Sequence, residues 1–362
     1  MISSGKTIGI GFLVASLLFS CKGDGTLLGL YPAEPIVNPD VRALIQGNRI
    51  VYACLDERNQ IRGITEKGSF STSNRFKSFS FNPSSWLWDA HTAAFGEGLL
   101  VYAAAEGTSV VLRHSSDMGA TWQVHEMSIG EGDDLISGTL SVVQLVVGPD
   151  GALWVLAEYH AGMDIRMLLY HVNLDEASHE LVLKRNNAIA LAIDFADYHS
   201  GWLLYRERYG PHDAVRVLKT VNGGQAWSEG AVLGHLNQPA IEAIASDVLL
   251  VYPQTGQPLY STDGGDSFVP VPIGENGIKM CYAASPRVVY ALLADGVAKS
   301  TDAGQTWIRL EGRTHGIDVS GMAMDFYNER RGIIYDWNKL FITDDGGESW
   351  DILVYPYDYL FE

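Results

Sequence analysis

Short apolar runs alternate with clusters of turn-forming residues along most of this chain. From Gly321 it reads "GMAMDFYNE", "RGIIYDWN", "KLFITDDGG" and "ESWDILVY". From Ile278 the same grammar returns as "IKMCYAAS", "RVVYALLADG", "VAKSTDAG" and "QTWIRL". The unit from Ala190 repeats it again, and its "AIDFADYHSGWLLY" shares the Ala–x–Asp–Phe spacing of "AMDFYNERRGIIYD". Apolar runs of about four to eight residues, bounded by Gly, Asn, Asp and Ser, predict strands. No long segment sustains the i, i+3, i+4 spacing of an amphipathic helix. The first run of each unit is almost continuously apolar, as expected of strands covered on both faces by neighbouring sheets.

A polar phrase punctuates these units. It reads "SSDMGATW" from Ser115, "TVNGGQAW" from Thr220, "STDGGDSF" from Ser261, "STDAGQTW" from Ser300 and "TDDGGESW" from Thr343. A degenerate copy, "TSNRFKSF", starts at Thr72, and a weaker one, "HVNLDEAS", at His171. Starting points are then about 39 to 56 residues apart, which makes seven units. The phrase falls between the third and fourth runs, where it predicts a turn. Gly119, Gly224, Gly265, Gly304 and Gly347 supply backbone angles that a side chain would penalise. Asp117, Asn222, Asp263, Asp302 and Asp345 can accept hydrogen bonds from amides of their own turn. Trp122, Trp227, Phe268, Trp307 and Trp350 are apolar plugs between strands or blades. Four short strands per unit of about 45 residues predict an all-β fold. The expected form is a seven-bladed β-propeller of four-stranded antiparallel blades, one domain over residues 27–362.

These phrases resemble Asp boxes, the bacterial neuraminidase repeats also found in family 74 xyloglucanases, sortilin-type receptors and photosystem II assembly factor-like propellers. The resemblance implies that the boxes lie at the blade periphery, away from the ligand face. In size and blade grammar the chain is similar to the single-propeller assembly factor-like proteins, which implies a scaffold or assembly role. Those factors look to use a basic surface patch, and this acidic chain has no obvious counterpart. A sialidase would require an early Phe/Tyr–Arg–Ile–Pro motif and three convergent arginines. "NRIVY" (Asn48 to Tyr52) lacks the Pro and the leading aromatic, and no spacing singles out three of Arg113, Arg206, Arg208 and Arg216. A family 74-type glucanase holds two carboxylates in a cleft between two propellers, and one propeller offers no such cleft. Asp194 and Asp325 occupy matching places in their repeats, which points to a shared structural job.

Composition narrows the partners. The formal charge is −18, which argues against nucleic acid and anionic lipid as partners and suits a partner with a basic surface. No Cys/His cluster has zinc spacing, "DDGGE" at Asp344 lacks the alternating ligands of a calcium loop, and no Gly-x-Ser-x-Gly elbow occurs. Neither metal nor cofactor is predicted. The N-terminal "MISSGKTIGIGFLVASLLFSC" carries one Lys and an apolar run too short to span a bilayer. Its "LFSC" resembles the bacterial lipoprotein signal, implying a leader over 1–20, lipidation at Cys21 and a tether over 21–26. That places the protein in a bacterial cell envelope, held by acyl chains on a membrane, the outer membrane being expected, with its body periplasmic or surface-facing. Cys54 and Cys281 lie in apolar strand-like runs, which favours buried free thiols over a disulfide.

The least repeat-like loops supply a candidate ligand face. The first, "NPSSWLWDAH", offers Trp86, Trp88, Asp89 and His91, suited to stacking and hydrogen bonding with a sugar or protein side chain. The second offers Glu131, Asp133 and Asp134, which could steer a basic partner, and "RERYGPHDA" offers Arg206 and Arg208. The reading is a non-catalytic, membrane-anchored propeller outside the cytoplasm that binds a protein or glycan partner. Alternatives are an envelope immunity protein that neutralises a secreted toxin, and a sialidase-like glycoside hydrolase.

Overall fold

The computed structural model describes residues 48–354, apart from 57–59, 84–91, 97–98, 118, 120, 129–137, 149–150, 209–212, 274–276, 295, 311–321 and 337–338. The expected leader, Cys21, the tether and the aromatic tail from Tyr355 lie outside these residues.

Seven four-stranded antiparallel sheets form a ring, and each is one continuous stretch whose strands lie side by side in chain order. The fold is a seven-bladed β-propeller. The blades, numbered 1 to 7, cover 50–83, 92–128, 139–186, 188–234, 240–270, 278–310 and 323–354. Their first strands are Ile50–Leu55, Thr92–Gly96, Thr139–Val147, Ala188–Phe195, Ala240–Ala245, Ile278–Ala283 and Ala323–Phe326. Each first strand meets the next around the ring, and that of blade 7 meets that of blade 1, so these seven surround the axis. Burial follows position. Val289–Leu293, the second strand of blade 6, is buried at every residue because blades cover both its faces. Gln123–Ser128, the fourth strand of blade 2, is mostly exposed, its core side shown only by His125 and Met127.

The repeated phrase forms the turn between the third and fourth strands, with one set of hydrogen bonds. In blade 5 the Gly265 amide donates to the Ser261 hydroxyl (2.9 Å), and that hydroxyl donates to Asp263 Oδ1 (2.8 Å). The Ser267 amide closes the turn on the same carboxylate oxygen (2.9 Å). The Ser267 hydroxyl and amide, with the Ser261 hydroxyl, hold the Asp263 carboxyl far below the usual carboxylate range. The same bonds recur around Ser115, Thr220, Ser300 and Thr343. The fourth residue of the phrase ties the turn to the loop joining the first two strands of its blade. Gly223, Gly264, Ala303 and Gly346 donate to the carbonyls of His199, Asp247, Arg287 and Arg330.

Two copies depart from the common form. In blade 1 the turn keeps its geometry without glycine: the Phe76 amide donates to Thr72 Oγ1 (3.0 Å), with Phe76 at φ 60°. The copy assigned to His171 is displaced by one residue. In every other blade the residue before the phrase pairs with the one after its aromatic, as Lys219 does with Ser228. In blade 3 His171 pairs with Glu180, so Val172, which has no hydroxyl to hold an amide, takes the first place of the phrase. The hairpin there closes through 174–177, and His179 stands at the place of the plug, its ring 5.5 Å from that of His125 in blade 2.

The plugs work between blades. Trp122 packs where blades 1 and 2 meet, Trp227 at blades 3 and 4, Phe268 at 4 and 5, Trp307 at 5 and 6, and Trp350 at 6 and 7. Phe76 and Phe79 join the cluster that unites blade 1 with blade 7. Only Trp350, at 5% exposure, is fully buried; the other four are half-buried wedges at the rim. Cys54 and Cys281 are free, buried thiols, as expected, and burial pushes both well above the ordinary thiol value.

Candidate binding face

Strand direction sorts the loops into two faces. First strands leave one face, to which the loops between blades and the hairpins between second and third strands also belong. The polar phrases and the loops joining first to second strands lie on the opposite face. The described ends of "NPSSWLWDAH", "SIGEGDDLISG" and "RERYGPHDA", at Asn82 and Pro83, Ser128 and Gly138, and 206–208 with 213–214, therefore share the face where the first strands begin, remote from the repeated turns. Trp86, Trp88, Asp89, His91, Glu131, Asp133 and Asp134 lie outside the described residues.

Arg206 and Arg208 are described, and neither pairs with Glu207. Glu207 instead accepts from Arg216 Nε (2.9 Å), its neighbour across the hairpin. Arg206 donates to the Leu236 carbonyl (2.6 Å) in the connection to blade 5, and Arg208 to the Met163 carbonyl (3.1 Å) in a hairpin of blade 3. The Arg208 amide adds a bond to the Asn187 carbonyl (2.9 Å). Two guanidinium groups thus tie three consecutive blades together at this face. Met163 stands beside them with 74% of its surface exposed. Lys279, at the start of the first strand of blade 6, reaches the Gln254 carbonyl (3.4 Å) of blade 5. A flexible thioether next to fixed cations is an adaptable contact surface for a protein chain.

Between the first strands, buried acids join the blades. Asp325 of blade 7 accepts from the Leu55 amide of blade 1 (2.9 Å), and Asp194 of blade 4 from the Ala243 amide of blade 5 (2.7 Å). Glu242 of blade 5 accepts from the Ala283 amide of blade 6 (2.6 Å), and Glu158 of blade 3 from the Ala190 amide of blade 4 (2.7 Å). Gln144 makes a two-way bond with the Ile193 main chain. Asp194 and Asp325 are each 6% exposed and point at main chain of the next blade, a shared structural task and not a pair flanking a substrate bond. Burial lifts the Asp325 carboxyl to about 6, against the Leu55 amide and the Tyr282 hydroxyl, whose hydrogen bonds lower it. Glu158, Glu242 and Gln144 were not singled out from the sequence. Their signal is one acid or amide in an otherwise apolar run, as in "AIEAIA". Among the described residues no group of three His, Cys, Asp or Glu could hold a metal ion.

No protein-family model matches the chain, and no curated protein matches it. Solved structures do. YCF48 from Cyanidioschyzon merolae aligns with a TM-score of 0.53 at 14% identity, over 82% of this chain and 95% of that one. YCF48 bound to D1 peptide aligns at 0.51 and 13%, over 86% and 93%. The chain has the YCF48 fold. At this identity the likeness concerns architecture alone. A family 74 xyloglucanase from Xanthomonas campestris aligns over 84% of this chain and 64% of its own, at 12% identity and a TM-score of 0.34, too low to support any argument.

Proposed function

We propose that this chain is a binding propeller without catalysis, which receives a protein partner on the face where its first strands begin. The observation that carries this reading is the contrast between the two faces. On one, the repeated turns satisfy their own polar groups. On the other, dissimilar loops are tied down by Arg206 and Arg208 around the exposed Met163. A YCF48 structure of the same fold is described with a peptide bound, which supports a peptide or protein as the ligand class. The role is that of a scaffold for assembly. The acidic balance of the chain favours a partner with a basic surface. The lipoprotein-like "LFSC" motif supports an anchor at Cys21 and a location in a bacterial envelope.

Affinity capture from detergent-solubilised envelopes tests this reading. The wild-type protein is expected to retain a partner that a Met163→Asp, Arg208→Glu double variant releases. Equal capture by both would refute the placement on this face, and turnover of sialosides or glucosides by purified protein would refute the absence of catalysis. Cys21→Ser is expected to move the protein from the membrane to the soluble fraction, and unchanged partitioning would refute the anchor.

A further inference from the structure

Corner residues wedge the junctions between blades, and at blade 3 the corner is an imidazole. The other corners carry Phe79, Trp122, Trp227, Phe268, Trp307 and Trp350, none of which titrates. The ring of His179 packs against Tyr170 of its own blade, with 6.2 Å between centroids, and against His125 of blade 2 at 5.5 Å. His125 stands opposite Leu112, on the side of blade 2 where Val110, Leu112 and Met127 build the core shared with blade 3. His114, two residues on from Leu112, faces the same side. Three imidazoles thus gather at one seam. His125 is 8% exposed and His114 9%, and His125 Nε2 is buried without a hydrogen-bond partner among the described residues. Burial makes both rings hold a proton less readily than an ordinary histidine. His179 and His114 add to this at His125, whereas Asp175 of the blade 3 hairpin opposes it at His114. Glu126 and Glu180, beside His125 and His179 in sequence, pair with Val111 and His171 and so lie on the other sides of their strands.

We infer that the seam between blades 2 and 3 is a proton-operated joint, closed while His114, His125 and His179 are neutral and opened locally in mild acid. A proton on His125 Nε2 would be a buried donor with no acceptor, and its charge would face two further imidazoles. Opening the seam to water removes both costs. The neutral form favours closure, so that contribution is complete above the ordinary histidine value of 6.5 and is lost as pH falls below it. The repeated turns stay intact over this range, since hydrogen bonds hold carboxylates such as Asp263 far below it. The seam between blades 7 and 1 responds in the opposite sense. Its buried Asp325, at about 6, gains a proton on acidification and closes more firmly. The joint does not depend on the function proposed above.

Amide hydrogen exchange of the whole protein, read by mass spectrometry at about pH 7.5 and about pH 5, tests this once rates are divided by the intrinsic rate at each pH. Each histidine that takes up its proton only on opening raises the open population by up to about thirtyfold over that range. Residues 110–114, 123–127, 168–173 and 178–183 are therefore expected to gain at least about tenfold in opening, while blades 5 and 6 do not. His125→Leu, apolar like its neighbours Leu112 and Met127, should reduce that gain by about tenfold. His179→Phe installs the kind of ring found at the other corners and should reduce it as well, without disturbing the fold at neutral pH. An equal gain in every blade, no gain at this seam, or the full gain retained in both variants would each overturn the proposal.

Discussion

Asp325→Asn is the most informative single change, because Asp325 joins the last blade to the first. The wild-type carboxyl sits at about 6, where burial outweighs its hydrogen bonds from Leu55 and Tyr282. Against an ordinary value of 3.8, that rise is worth about 3 kcal/mol between the protonated and ionised states. A folded-state value above the unfolded one means that the neutral acid favours folding. Its contribution is complete below about pH 4 and disappears as pH rises through about 6. The amide of the variant has no charge to bury, and its oxygen can still accept from the Leu55 amide. Moving from about pH 3 to about pH 7.5 should therefore shift the stability difference by about 3 kcal/mol in favour of the variant. That is a substantial share of the roughly 5–15 kcal/mol typical of a folded domain. Urea unfolding followed by tryptophan fluorescence at both pH values measures it directly. Parallel pH profiles, or a shift in favour of the wild type, would show that hydrogen bonding and not burial dominates at this carboxylate.

Other substitutions probe the repeated turn. Gly224 lies at φ 83°, and a Cβ there would overlap the Trp154 ring of the preceding blade; Gly224→Ala should cost about 2–4 kcal/mol, read as a lowered midpoint in urea. Ala303 holds φ 61° at a place where Gly264 and Gly346 occupy the equivalent turns. Relief of about 1 kcal/mol of strain, partly offset by a freer unfolded chain, should make Ala303→Gly raise the melting temperature, and a fall would contradict the strain argument. Trp350→Ala should cost about 3–5 kcal/mol, since that ring is 5% exposed and meets Phe326 edge-on at 6.2 Å. The half-buried Trp122 should cost less when truncated, and equal losses would count against the difference in burial.

The architecture was legible because one hairpin turn needs the same chemistry wherever it recurs. A hydroxyl, an acid two residues on and a glycine two further are required together by three short hydrogen bonds, so the phrase marks its turn. The reading slipped where that chemistry is absent. His171 aligned by resemblance of letters, whereas strand pairing puts Val172 in the hydroxyl position. Phe76 shows the converse, a turn preserved in shape after its glycine was lost, because Thr72 and Asn74 still hold the amides. Which blades the buried acids join was not legible, since a lone Glu in an apolar strand does not say whose amide it faces. The proposed face was legible only as loops that depart from the repeat, and Arg206 and Arg208 showed their main-chain partners only once blades 3, 4 and 5 were placed side by side.

The central claim is that a partner approaches the face where the first strands begin. Amine cross-linking of the captured complex, read by mass spectrometry, tests it directly, because lysines mark both faces. Lys67, Lys279 and Lys339 lie on the proposed face, and Lys77, Lys219 and Lys299 near the repeated turns. The account predicts links from the first three to the partner, whereas links confined to the second three would contradict it.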